Sequence, residues 1–257
     1  MSRPVIFAIP HPDDETLGAG VAIAEHVAAG RDVHVLLMTR GTSSGALDKV
    51  NGAVWSPWWG APHSPAVEGY QPLTAAEMGA ARLREFRAAL GCLGVSADRL
   101  HFAWDLLGVE PLDTQVTVAQ ARAAIVALHG KVMADNPASG NCGLWAPSHT
   151  VDDNPDHRAI GQASWDLYKD DPVTWADRRY WVLPPYWSDD RLAQVPGRMW
   201  DTPTDAQIGN RVKNACRAYA AWAPAEGLFA FGYHSVSAMF ALMDGSGTGT
   251  PKCLIHK

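Results

Sequence analysis

Clustered positive charge is missing from this 257-residue chain: 21 Lys and Arg face 27 Asp and Glu, a formal net charge of −6, with no basic run. Neutralising phosphates takes clustered cations, so a nucleic-acid partner is excluded and a small-molecule one expected. Cysteine is sparse as well. Cys92, Cys142, Cys216 and Cys253 stand far apart, without a CxxC pair or a disulfide-like spacing, which suits a reduced, cytoplasmic protein. The first ten residues lack the charged and apolar regions of a signal peptide. No apolar run approaches the ~18 residues that cross a bilayer, so no membrane partner is expected. No Gly-Lys-Ser/Thr of a P-loop occurs, and Gly18-Ala19-Gly20 starts like a dinucleotide fingerprint but meets Ile23 at the third glycine position. Serine-hydrolase chemistry is not expected either, for lack of a G-x-S-x-G elbow.

What is present suits one large core, since 47% of the residues are apolar. Short apolar runs at Val5 to Ile9, Val33 to Met38, Leu100 to Trp104, Leu144 to Ala146 and Tyr180 to Leu183 alternate with helical segments. Such alternation predicts an α/β, Rossmann-like domain over residues 1–257, its mostly parallel sheet covered by helices on both faces. Thr74 and Glu77 form a capping box ahead of a helix to about Leu90. Thr204 and Gln207 repeat the signal before a helix reaching about Trp222, where Pro224 stops it. Further helices are expected over 16–29, 117–134 and 156–169. Residues 41–73 and 184–203, rich in Gly, Pro, Ser and Trp, read as long loops shaping a substrate site. The segment 245–250 reads as a flexible linker to a short C-terminal tail. Tryptophan is abundant, with 11 residues. Loop tryptophans serve as core plugs or as flat platforms for sugars, and the platform role is assigned to Trp55, Trp58 and Trp59.

The chemistry starts where the first strand ends. Ile9-Pro10-His11-Pro12-Asp13-Asp14-Glu15 puts one imidazole and three carboxylates at the carboxyl edge of the sheet, where ligands bind in open α/β folds. Burying that much negative charge is costly without a cation. Helix capping and the macrodipole would account for any one of the acids, yet they leave His11 and Pro12 without a role. A second cluster, Ser148 to Arg158, follows the Leu144 run and supplies the remote imidazole, His157, of a three-ligand catalytic site. Imidazole with carboxylate suits Zn2+ or another first-row divalent ion.

His11-Pro12-Asp13-Asp14-Glu15, followed much later by Pro155-Asp156-His157-Arg158-Ala159, resembles the PIG-L/LmbE family of zinc-dependent N-deacetylases, which includes mycothiol-, bacillithiol- and antibiotic-pathway enzymes. Weaker likeness extends through Thr39-Arg40-Gly41, Arg82-x-x-Glu85 and Asp105. The resemblance implies that His11, Asp14 and His157 bind zinc and that Asp13 is the general base. It further implies that Arg82 and Asp105 contact sugar hydroxyls, against the plainer readings of an Arg82–Glu85 pair on a solvated helix face and of Asp105 capping a turn. The implied reaction is hydrolysis of an amino-sugar acetamide to acetate and a free amine, without an organic cofactor. One departure stands out. The family reads His-Pro-Asp-His at the second motif and this chain has Asn154 there, which can donate to an oxyanion but cannot act as a general acid. His149, His234 or Asp13 itself would then return the proton. The tryptophan-rich loops, with Trp58 and Trp59 as substrate contacts, favour a glycosylated natural product over a free sugar. A sugar-binding module with lost or weak activity, or hydrolysis of a longer N-acyl chain, remain alternatives, and self-association is left open.

Overall fold

A computed structural model of the chain describes residues 3–244 and 249–257. Its elements run β1 (Val5–Ile9), α1 (Asp14–Leu17), α2 (Gly20–Ala28), β2 (Val33–Leu37), α3 (Ala46–Val50), α4 (Pro65–Glu68), α5 (Ala75–Leu93), β3 (Leu100–Phe102), α6 (Ala103–Leu107) and α7 (Val118–Asp135). They continue with β4 (Gly143–Pro147), α8 (Pro155–Asp170), β5 (Arg178–Val182), β6 (Met199–Asp201), α9 (Ala206–Ala218), β7 (Trp222–Ala223), β8 (Leu228–Phe229), α10 (Phe231–Met243) and β9 (Cys253–His256).

Seven strands form one sheet in the order β3-β2-β1-β4-β5-β9-β6. The first five pair in parallel, and β9 runs antiparallel to both β5 and β6. All five residues of β1 are fully buried, and alternate side chains feed opposite faces. Val5, Phe7 and Ile9 pack with side chains of α2, α5 and α9, whereas Ile6 and Ala8 pack with those of α7 and α8. A strand buried on both sides must be apolar throughout, which is why it was legible as a run. The chain order reverses between β1 and β4, so their carboxyl ends flank a crevice at the switch point.

The helix expected over 16–29 is broken. Gly18 and Ala19 interrupt it, and position 18 admits only glycine because a Cβ there would collide with the Trp181 ring, which lies fully buried beneath. The Thr74–Glu77 capping box is present on α5, and Thr117 with Gln120 makes another on α7. The Thr204–Gln207 box is not. Asp205 caps α9 instead, accepting from Ile208 N at 2.9 Å, while Thr204 is taken by Glu25; the helix ends at Ala218, short of Trp222. Residues 41–73 contain α3 and α4, and 184–203 contain short 3-10 turns and β6, so neither is a bare loop. Of the expected linker, residues 245–248 lie outside the described residues. The tail beyond it is no tail: β9 is buried along its whole length between β5 and β6.

Candidate metal centre

Pro10 and Pro12 lead the chain out of β1, and α1 begins at once, so His11, Asp13 and Asp14 crowd a single turn. The turn is strained. Asp13 has φ 113°, in the region that favours glycine, and the strain is held by contacts on every side. Asp13 N donates to Glu15 Oε2 at 3.0 Å, and Arg82 Nη2 donates to Asp13 Oδ2 at 2.9 Å and also to Pro12 O. Arg82 donates further to Gly41 O at 2.6 Å, tying the turn to the segment after β2. Glu15 is fully buried and accepts from the Tyr219 hydroxyl at 2.7 Å.

The second cluster reaches the same point from β4. Asn154 caps α8 through Oδ1, which accepts from Asp156 N at 2.9 Å and His157 N at 3.4 Å, and so places His157 in the first turn. Three donor atoms then meet. His11 Nδ1 lies 3.2 Å from Asp14 Oδ2, His157 Nε2 lies 3.1 Å from the same oxygen, and the two ring nitrogens are 3.3 Å apart. A tetrahedral ion with ligands about 2.0–2.1 Å away has donor edges of about 3.3 Å, so this triangle fits one face of a zinc-like coordination sphere.

The outer ring nitrogens decide the tautomers. His157 Nδ1 donates to Asp152 Oδ2 at 2.8 Å, and His11 Nε2 faces Asp156 Oδ2 at 3.0 Å and Asp113 Oδ1 at 3.1 Å. Each imidazole therefore gives its N–H to a carboxylate and keeps a lone pair for the centre, the usual support of a metal-bound histidine. Burial opposes protonation of His157, yet Asp14 and Asp152 outweigh it and hold it up at about 9. His11 is likewise held well above its ordinary value, by Asp113, Asp14 and Asp156 against the cost of burial. Asp14 falls well below the carboxylate range because the two rings overcome its burial. Protons are thus drawn to the place where a cation would sit. Asp13 differs: burial raises it to about 6, with Arg82 pulling the other way.

The profile described as PIG-L, GlcNAc-PI de-N-acetylase, matches residues 6–168, which include both clusters. The chain belongs to the PIG-L family. A 1D-myo-inositol 2-acetamido-2-deoxy-alpha-D-glucopyranoside deacetylase of Mycolicibacterium vanbaalenii is 37% identical to it over 95 residues, 37% of this chain and 28% of that protein's length. Among solved structures, the A40926 pseudoaglycone deacetylase covers 99% of this chain and 95% of its own, at TM-score 0.60 and 18% identity. The 4-carboxy-2-hydroxymuconate hydratase of Pseudomonas putida covers the same shares at TM-score 0.55 and 14% identity. These two likenesses are of fold, and they span two different chemistries.

In this PIG-L chain a cavity of about 300 Å³ opens over the donor triangle. Asp13, Arg82 and Asn154 line it together with the three expected ligands. Other expected residues do not. Asp105 is exposed on α6 and outside the cavity, because the chain turns helical directly after β3. His149 packs against Trp165 and Tyr180. His234 is buried beside Trp58, its Nδ1 2.8 Å from Ser56 Oγ and its Nε2 3.2 Å from His63 Nε2. Trp58 and Trp59 stack in that same aromatic cluster and are not cavity walls. Arg82 and Glu85 form no solvated pair: both are buried, and Glu85 accepts from Phe231 N and Gly232 N at 2.7 and 3.2 Å, pinning the start of α10.

Sequence reasoning missed Asp113, Tyr186 and the structural roles of Asp152 and Asp156. Asp156 lay inside the quoted motif beside His157 and Asp152 in the wider second cluster, whereas Asp113 has no motif around it. Gly41-Thr42-Ser43-Ser44-Gly45 does spell a G-x-S-x-G pattern, but it begins four residues after β2. Among the described residues no histidine bonds either serine, and Ser44 Oγ is shared with Ser235 Oγ at 3.2 Å. A nucleophile elbow needs the strand-to-helix turn and the base, and both are missing.

Proposed function

We propose that the chain hydrolyses the acetamide of an N-acetylated amino sugar with one divalent ion, zinc or another first-row metal, releasing acetate and a free amine. One observation carries the reading: two imidazole nitrogens and a carboxylate oxygen converge at 3.1–3.3 Å from one another, with a second, strained carboxylate in the same turn. His11, Asp14 and His157 would hold the ion, which when bound polarises the carbonyl and acidifies the attacking water. Asp13 takes the water's proton and returns it to the leaving nitrogen, a task suited to a carboxyl near 6. That exchange removes the need for the histidine the family carries at position 154. Asn154 uses its oxygen for capping and keeps its amide N–H groups for the oxygen that gains charge. The Tyr186 hydroxyl, which accepts from Asp153 N at 3.2 Å, is a second neutral donor on the cavity wall. Asp113 faces the cavity beside His11 and takes the sugar-hydroxyl role expected of Asp105.

The substrate is an amino sugar on a larger, partly apolar natural-product scaffold. Supporting this, Leu17, Leu183, Val236 and Met239 give the cavity an apolar side, and exposed Trp55 and Leu112 stand on segments that also contribute Ser44 and Asp113 to it. The test is acetate release from free N-acetylglucosamine, an N-acetylglucosaminyl-inositol and an acetylated glycopeptide, before and after chelation. Turnover that survives complete metal removal overturns the metal reading, and faster turnover of the free sugar overturns the scaffold. Asp13→Asn is expected to lower kcat by about 10²–10⁴ with metal content unchanged. Ligand binding without turnover in the unaltered protein would make it a binding module instead.

A further inference from the structure

The C-terminal strand β9 ends on a histidine that reaches back toward the metal centre without touching it. His256 is 2% exposed and stacks on Tyr180, ring centroids 5.1 Å apart. Its Nδ1 lies 3.0 Å from Lys257 O, a pure acceptor, so the ring proton sits on Nδ1 and Nε2 keeps its lone pair. That lone pair faces Ser148 Oγ at 2.8 Å, so the serine hydroxyl donates to the histidine. Ser148 is fully buried at the point where the chain leaves β4, its own N–H bonded to Trp181 O at 2.9 Å. Its carbonyl accepts from Asp152 N at 3.2 Å. Asp152 is then oriented at both ends: Oδ1 accepts from Asn154 N at 2.9 Å, and Oδ2 accepts from His157 Nδ1 at 2.8 Å.

We propose that His256 is a positioning residue for the metal centre, acting through Ser148 and Asp152 to set the ring of His157. The inference rests on the reading of His157 as a metal ligand. Three links in series, all among buried residues, connect the C-terminal strand to the ligand, and the neutral tautomer of His256 is what points the serine hydroxyl. A ring proton on Nε2 would turn that hydroxyl around. Burial keeps His256 neutral by pushing it down to about 4.

The experiment titrates the metal-free, full-length protein with Zn2+ and follows hydrogen exchange at the Asp152 amide. His256→Leu is expected to weaken zinc binding about tenfold, the low end of the effect of losing a direct partner of a ligand, and to speed exchange at Asp152 before metal is added. His256→Gln, whose amide oxygen can accept from Ser148, is expected to restore most of both. Ile255→Ala, which loosens the same strand without entering the relay, is expected to leave zinc affinity within about twofold of the parent. Unchanged affinity and exchange in His256→Leu overturn the proposal, and so does a loss in Ile255→Ala as large as in His256→Leu. If the parent binds no zinc while His256→Leu still speeds exchange at Asp152, the metal reading fails and the relay stands.

Discussion

Two imidazole rings govern the centre through the nitrogens they turn away from it. Asp152 behind His157, and Asp156 with Asp113 behind His11, fix which lone pairs face inward. Asp156 is itself immobile, since Thr114 N and Val116 N donate to it at 2.8 and 3.0 Å. Asp152→Asn would keep the shape and weaken the acceptor, so metal affinity should fall about 10–100-fold while the fold stays intact. Isothermal titration against far-UV dichroism checks both halves. The convergence of His11, Asp14 and His157 was readable because each lies on the stretch that follows the carboxyl end of a buried strand, the first two just after β1 and His157 in the first turn of α8 after β4. Asp113 was not, because only tertiary folding brings residues 108–117 back over the end of β1. His149 and His234 drew attention as titratable groups, but their aromatic surroundings are contributed by remote segments that no local pattern reveals.

Helices α5 and α8 do more than cover the sheet. From α5, Arg82 steadies the strained Asp13 turn and Glu85, one turn later, pins α10, whose Val236 and Met239 wall the cavity. An i,i+3 pair looks the same in sequence whether solvated or buried, and so this double anchorage stayed hidden. On α8 the decisive position is Gly161. A Cβ there would strike Pro147 O and come within 2.7 Å of His149 N, both backbone atoms that cannot yield cheaply. Gly161→Ala should therefore cost about 1–3 kcal/mol, lower Tm by about 2–8 °C, and shift the Ser148–Asp153 segment enough to weaken metal binding. An alanine variant as stable as the parent would refute the close approach. Helices with a capping box on a free N-terminus were predicted well, and α9 was not, because Glu25 of α2 claims Thr204 and leaves Asp205 to cap.

At the scale of the whole molecule, buried titratable groups set two opposing limbs of stability. Burial pushes His26, His101 and His256 down to about 4, so between about 6.5 and 4 the unfolded chain binds protons the native state refuses. Their contribution is full above about 6.5 and is lost as pH falls. Glu85 works in the other direction. Burial raises it to about 8, against the pull of the Phe231 and Gly232 N–H groups and Arg82, so the native state holds a proton the unfolded chain releases above about 4.5, and stability falls as pH rises toward 8. Urea midpoints of the metal-free protein should peak near pH 6–6.5, and Glu85→Gln should make the alkaline limb shallower, the remainder being carried by Glu15, which burial also raises to about 8, and by His157 at about 9. A midpoint still rising from pH 6.5 to 8 would contradict this. The α/β class and the crevice between the two motifs were legible from apolar runs and turn residues. The far edge of the sheet was not, because β6 and β9 are short, antiparallel and built from segments that read as loop and tail.

That far edge is assembled out of order. Among the described residues β6 pairs with the sheet only through β9, and the residues of β9 follow it by about fifty positions, so the earlier strand has no berth until the later one docks. Removing the last five residues would therefore strip two strands, not one, and bare the flank of β5 whose other side supports Pro147 and, beyond it, the segment that leads to His157.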